Sequence, residues 1–405
     1  MAHEASSLST LPFDLLQEIA RAVRTIEPCV RESFRLTNKA LRNAYDTTMS
    51  DGGVSLGRDS SDDEEDEDEA FERNLACVWD FVRRNKNIAG LDVLNVDCWH
   101  GWGLSCFERM CNDDIVQKQI TRVMIGSRQY DRDELWRVLA IVGNNLKGLK
   151  ELIVRGYGHP DERTTLTEER MAYVGPALAQ LTALTKLHMC TDVEEAPELS
   201  AIIINNLEKL ETLDLAYSID HDSTMIKFVP SIINLRHLCL DSCCIGPESA
   251  RAMAEAFRGG ILLRSLDLDH CFVDDGALEI LCPSIRSLTS LEKLFVEGGR
   301  RDCRIFEEDM AFPPSLVELR LFKIDFGCSL EGVGVFTNRL KRLTSLRSIH
   351  VGLAGIDAPC VDKVTKALQE LPALEYVRVE ANESDDVFGT AWNGRGSYVK
   401  ELSLK

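Results

Sequence analysis

The amino-acid sequence specifies a mixed α/β solenoid with a parallel sheet on its concave face, helices on its convex face, and a small all-α module in front. Three features point there. A hexamer of the form L-x-x-L-x-L recurs along the chain, many copies are followed by an apolar pattern of helical period, and the first fifty residues obey neither rule. The copies read LDVLNV (91–96), ITRVMI (120–125), LKELIV (149–154), LTKLHM (184–189), LETLDL (210–215) and LRHLCL (235–240). They continue as LRSLDL (263–268), LEKLFV (291–296), LVELRL (316–321), LRSIHV (346–351), LEYVRV (374–379) and VKELSL (399–404). These are about twelve copies with starts 25 to 35 residues apart, a period that belongs to repeat architectures.

Each hexamer alternates as a short strand does, its fourth and sixth residues pointing to one face and its third and fifth to the other. PESARAMAEAF (247–257) then places Ala250, Met253, Ala254 and Phe257 on one helical face, with Pro247 suited to the first turn. DGALEILCPSI (275–285) repeats the plan with Leu278, Leu281 and Cys282. One strand and one helix in each 25–30 residues is the leucine-rich-repeat unit. No such unit buries its own apolar face, so stability comes from its neighbours. The array is expected over 71–405, opened by a covering helix at 71–86 with Trp79 in the core. Its last copy, 399–404, has no helix after it, which implies an open parallel edge, covered by Phe388 and Trp392 or by another chain.

The stretch LRHLCLDSCC (235–244) holds Cys239, Cys243, Cys244 and His237, the residue types of a zinc site, but without the paired spacing such sites use. Aligned with the next repeat, Cys243 and Cys271 share the ninth position, where LEYVRVEAN has Asn382. A small side chain able to hydrogen-bond suits an inward turn at that point, so the cysteines read as ladder residues, with no metal and no cofactor expected. The fourteen cysteines, at an N-terminus without the pattern of a secretion signal, suggest free thiols in a reducing compartment, cytoplasmic or nuclear. The longest apolar run, 201–207, is far short of a membrane span.

Of the 405 residues 44% are hydrophobic and 28% charged, the balance of a folded soluble chain. A net charge of −20 opposes nucleic-acid binding. Residues 58–69, RDSSDDEEDEDE, set nine carboxylates against one arginine, so 49–70 reads as an acidic disordered linker. Ser60 and Ser61 precede the acids, as sites of acidic-directed phosphorylation do.

The segment LSTLPFDLLQEIARAV (8–23) begins with a capping Thr10 and a first-turn Pro12 and carries an apolar stripe of Leu11, Leu15, Leu16, Ile19 and Val23. EPCVRESFRLTNKALRNAYD (27–46) sets Phe34, Leu36, Leu41 and Tyr45 among basic residues. Residues 1–48 thus form a helical module too small for comfortable stability alone, which docks on the array or on a partner. The pattern L-P-x-D-L-L-x-E-I followed by R-L-x-N-K-x-L resembles an F-box, the motif that docks on the Skp1-type adaptor of a cullin-RING ubiquitin ligase. That resemblance implies that Leu11, Pro12, Leu15, Leu16 and Ile19 meet the adaptor, together with Leu36, Asn38, Lys39 and Leu41, the last standing where many members carry Trp. Repeats such as 266–294 resemble the cysteine-containing leucine-rich repeats of F-box proteins, with some likeness to ribonuclease-inhibitor repeats. The resemblance implies a non-catalytic subunit that recruits a protein substrate on the repeats and links it to cullin through the adaptor. Two other readings stand beside it, an interaction scaffold without a ligase link and a GTPase-activating repeat protein.

No phosphate-binding glycine loop, nucleophile elbow, H-E-x-x-H or dinucleotide fingerprint occurs, so no catalysis is expected. Partner contact then falls to the third, fifth and seventh positions of the repeats. The candidates are Asp214, His237, Asp241, Asp267, Asp269, Phe295 and Glu297, followed by Arg320, Phe322, Tyr376 and Arg378. The acidic stretch from Asp214 to Glu297 implies a protein partner with a basic segment, and Phe295, Phe322 and Tyr376 imply an aromatic or apolar anchor. The loop 297–309 replaces a helix and offers Arg300, Arg301 and Arg304 to an acidic group.

Overall fold

The computed structural model describes residues 54–56, 93–98, 104–127, 132–156, 164–193, 196, 198–271, 275–297, 312–325, 330–354, 358–382 and 397–403. The F-box-like residues, the acidic run 58–69, the helix expected at 71–86 and the loop arginines lie outside them. The chain divides into two units, Met1–Leu210 and Glu211–Lys405.

The first eleven hexamers each become a strand that begins at the third residue, and the last, 399–404, falls in a strand that begins two residues before it. The first unit holds β1 (Val54–Leu56), β2 (Val93–Cys98), β3 (Arg122–Ser127), β4 (Glu151–Gly156) and β5 (Lys186–Cys190). They pair in parallel in chain order, and the fourth positions fall in one row, Leu94, Val123, Leu152 and Leu187. Between the strands run α1 (Leu104–Cys111), α2 (Asp114–Gln119), α3 (Arg132–Asn145) and α4 (Glu168–Leu178), with α5 (Glu198–Asn206) after β5.

The second unit holds β6 (Thr212–Asp214), β7 (His237–Cys239), β8 (Ser265–Leu268), β9 (Lys293–Glu297), β10 (Glu318–Asp325), β11 (Ser348–Ala354) and β12 (Tyr376–Asn382). Leu213, Leu238, Leu266, Leu294, Leu319, Ile349 and Val377 form its fourth-position row, again parallel throughout. The intervening helices are α6 (Asp222–Phe228), α7 (Pro247–Arg258), α8 (Asp275–Ile285), α9 (Leu330–Leu340) and α10 (Ala358–Gln369). Stacked strand–helix units of this kind are those of a leucine-rich-repeat array.

The core follows from the alternation. Fourth- and sixth-position side chains such as Leu238, Leu240, Leu266 and Leu268 are buried against the helices, as are Ala250, Met253, Ala254 and Phe257 of α7. Burying a leucine side chain contributes about 1.5–3 kcal/mol, and only the next repeat supplies the other wall. The ninth position turns inward. Cys243 donates its Sγ hydrogen to the Leu215 carbonyl at 2.9 Å, and Cys271 does the same to Leu240 at 2.8 Å. Burial pushes the Cys243 thiol up to about 12, which keeps it a protonated donor.

The chain ends differ from the expected array. A three-residue strand, Val54–Leu56, lies within the segment 49–70 read as linker and pairs with β2. The last copy, β13 (Ser397–Ser403), runs antiparallel to β12 rather than leaving an open parallel edge. A parallel return needs a crossover of a dozen or more residues, usually helical, and the intervening ESDDVFGTAWNGRG is interrupted by three glycines, which disfavour a helix of that length.

One contact ties neighbouring repeats through their helices. Asp222, in the first turn of α6, accepts from the N–H groups of Gly246 (2.9 Å), Glu248 (3.1 Å) and Ser249 (3.1 Å), which caps α7 from outside. Burial alone would push this carboxyl up, but the Ser249 hydroxyl and the three N–H groups outweigh it and hold it below its usual range. A Cβ at Gly246 would lie 2.6 Å from Asp222 Cγ, so glycine is required there. Asp222→Ala is expected to destabilise the protein by about 1 kcal/mol, the usual loss of a cap. Gly246→Ala should be destabilising alone and much less so beside Asp222→Ala, a coupling that urea denaturation of the double-mutant cycle measures.

Candidate functional site

The sheet face opposite the helices in the second unit gathers the third, fifth and seventh positions of β6–β12. The fifth positions form one row in register: Asp214, Cys239, Asp267, Phe295, Arg320, His350 and Arg378. Its chemistry changes sign along the row, from carboxylates to guanidinium groups.

In the acidic part, Asp214 Oδ1 accepts the Ala216 N–H at 3.0 Å and Asp267 Oδ1 accepts the Asp269 N–H at 3.1 Å. The fifth-position aspartates therefore also fasten the turn that leaves each strand. Asp241, Asp269 and Glu297 follow at the seventh positions of three consecutive repeats. Burial first, then the charges of Asp267, Asp241 and Glu297, push the Asp269 carboxyl up to about 7. Burial and the charges of Asp241 and Asp214 also raise Asp267, although the Asp269 N–H pulls the other way. Burial, with Asp214 beside it, raises the Cys239 thiol. His237, at a third position, is exposed.

The other part of the face is paired internally. Glu318 receives Lys293 at 3.0 Å and Arg320 at 2.9 Å, and the same Arg320 lies 4.4 Å over the Phe295 ring. Although burial opposes it, these two cations hold the Glu318 carboxyl below its usual range. Phe322 meets His350 edge-to-face at 4.5 Å. Glu380 takes His350 at 3.2 Å and Arg378 at 2.6 Å. Burial and the nearby Arg378 and Arg320 keep the His350 imidazole below its usual value despite Glu380.

Three candidates sit differently from their simple strand positions. Glu297 is only 7% exposed, and His270 of the preceding repeat lies against it at 2.7 Å. Phe295 has Arg320 over its ring and Phe322 has His350 at its edge, so Tyr376, at 39% exposure, is the most accessible of the three aromatic anchors. Two residues of the face were not read from the sequence. His270 and Tyr217 occupy the eighth position, where Tyr217, Ser242 and His270 share left-handed backbone with φ 60°, 57° and 55°. Tyr217 is 52% exposed and its N–H reaches the Asp241 carbonyl at 2.8 Å, beside the acidic cluster. Strand periodicity stops at the seventh residue, so nothing in the alternation marks the eighth.

In the first unit Glu151 collects Arg122 at 3.1 Å, Lys186 at 3.7 Å and His188 at 4.0 Å across β3–β5. A cavity of about 470 Å³ is lined by Asp133, Arg137, Thr167, Glu169, Arg170 and Tyr173 of the α3–α4 region. Its two arginines face two carboxylates, and Arg170 is committed to Asp133 (2.6 Å) and the Thr165 carbonyl (2.6 Å). Among the described residues no group of three His, Cys, Asp or Glu side chains is placed to hold a metal ion.

No protein-family model matches the chain, and no curated protein matches it. Among solved structures it is similar to an internalin (inlF) from Listeria monocytogenes, at 13% identity over 89% of this chain and 87% of that one, with a TM-score of 0.36. TLR13 in its complex with ssRNA13 is similar at 13% identity over 73% of this chain and 37% of that one, TM-score 0.37. A Bacteroides fragilis protein is similar at 13% identity, 83% and 87% coverage and TM-score 0.36. The repeat assignment stands on this chain's own strand ladder.

Asp269 gives the face a pH signature. Its folded-state value of about 7 lies above the ordinary carboxylate value of about 3.9, so between these limits the folded protein binds the extra proton and stability falls as pH rises. Asp269→Asn is therefore expected to raise the melting temperature at about pH 8, with the gain shrinking toward about pH 3, below both values, where both states are largely protonated in the parent protein. Thermal melts of both proteins at the two pH values check it.

Proposed function

We propose that the protein is the substrate-recognition subunit of a Skp1–cullin–F-box ubiquitin ligase, binding the adaptor through residues 8–48 and a protein substrate on the second unit's sheet face. The observation that carries the recognition half is the acidic cluster of Asp214, Asp241, Asp267, Asp269 and Glu297, held on strands or on the turns that leave them, where burial first and then neighbouring carboxylates push Asp269 up to about 7. A surface whose charges repel one another gains most from a partner's cations, so the fitting substrate carries a basic segment. Tyr376 and Tyr217, both exposed, supply the aromatic contact at either side.

The ligase half is supported by the sequence pattern around Leu11, Pro12, Leu15, Leu16 and Ile19, with Leu36, Asn38, Lys39 and Leu41 downstream. In this reading the chain performs no bond chemistry. It raises the effective concentration of a substrate lysine beside a ubiquitin-charged partner, and proximity supplies the acceleration. Protein recognition by the repeats does not depend on that link.

A pull-down of a Skp1-type adaptor separates the two. The full chain is expected to retain the adaptor, while a chain lacking 1–48, or one carrying Leu11→Ala and Pro12→Ala, loses it. Failure of the full chain to bind would remove the ligase link and leave a repeat scaffold.

A further inference from the structure

A contact inside the acidic cluster shows how its cation position is already filled. His270 donates from Nε2 to Glu297 Oε2 at 2.7 Å and places Nδ1 3.6 Å from Asp241 Oδ1. Asp241 belongs to the repeat before and Glu297 to the repeat after, so one imidazole spans three repeats. The ring is 59% exposed, whereas the carboxylate beneath it is 7% exposed. A ring so open to solvent is readily displaced from the carboxylate it meets.

We propose that His270 is an internal occupant of a cation subsite bounded by Asp241, Asp269 and Glu297, and that an arginine or lysine side chain of a protein partner binds there by displacing the imidazole. The inference rests on the protein-binding reading of this face. The imidazole serves two of the three carboxylates. It leaves Asp269 among the charges of Asp267, Asp241 and Glu297, which Arg320 offsets only in part. A guanidinium carries five donors in a planar fork, enough to bond Asp269 as well as the two carboxylates that the imidazole meets.

The exchange has a proton signature. A partner's cation favours ionised Asp269, so binding releases a proton, and affinity rises with pH through about 7, where this carboxyl titrates.

The test is fluorescence anisotropy of a labelled oligo-arginine peptide with the full chain at low ionic strength. Asparagine tolerates left-handed backbone, so His270→Asn keeps the turn and removes the ring, and a thermal melt checks its fold. His270→Asn should bind the peptide roughly three- to tenfold more tightly than the parent, the scale of one exposed ion pair released. Asp269→Asn should bind more weakly and lose most of the rise with pH. Equal or weaker binding by folded His270→Asn overturns the proposal while leaving the face reading intact. Binding that ignores Asp269→Asn and Glu297→Gln places the peptide elsewhere, such as the 58–69 run, and also overturns it. No binding by either parent or His270→Asn removes the face reading itself.

Discussion

The second unit depends on one backbone interaction repeated at the start of each strand. The carbonyl of the second residue in one repeat accepts the N–H groups of the second and third residues of the next. Glu211 takes Arg236 and His237 at 2.8 and 2.9 Å, Arg236 takes Arg264 and Ser265 at 2.6 and 3.0 Å, and Arg264 takes Glu292 and Lys293 at 2.8 and 2.9 Å. A carbonyl has two lone pairs, and both are used. The pair of bonds leaves no freedom for a slip of one residue, which would turn every leucine of the fourth row out of the core. Register, core and open face are one decision.

That register also sets the electrostatics of the open face, because like positions of successive repeats become neighbours at the strand spacing of about 4.8 Å. Where the repeats copy an acid, as at Asp241, Asp269 and Glu297, the copies repel. Where the residue type changes between repeats, as in Lys293, Glu318 and Arg320 or in His350, Glu380 and Arg378, the neighbours neutralise one another. The second pattern is stable and self-contained. The first is relieved only in part by His270.

Much of this was legible in the hexamers. The pattern placed the fourth-position row, the helix over 247–257 and the inward ninth-position cysteines, because each is dictated by a period or by a small side chain at a turn. It did not place features that depend on a neighbouring repeat. Glu297 reads as an outward seventh residue, yet it is buried, with the His270 of the repeat before against it. The capping of α7 by Asp222 joins residues more than twenty positions apart, and its sequence trace is no more than a glycine before Pro247. The last hexamer fits the motif, yet pairs antiparallel, because the motif describes a strand and says nothing of the crossover before it.

The aspartates of the face do two things at once, and this bears on recognition. Asp214 and Asp267 each accept an N–H two residues on, so their carboxylates are held in place before any partner arrives. Short side chains already fixed by the backbone lose little entropy on binding, and most of the ordering falls on the partner's long arginine or lysine. The same fixation prevents the carboxylates from turning away from one another, which is why burial and repulsion appear in the titration of Asp269 rather than in a rearranged surface. A mobile acidic tail would relieve its repulsion by spreading, as an extended chain does. A row of acids on a parallel sheet cannot, and so retains an affinity for cations that is built into its register.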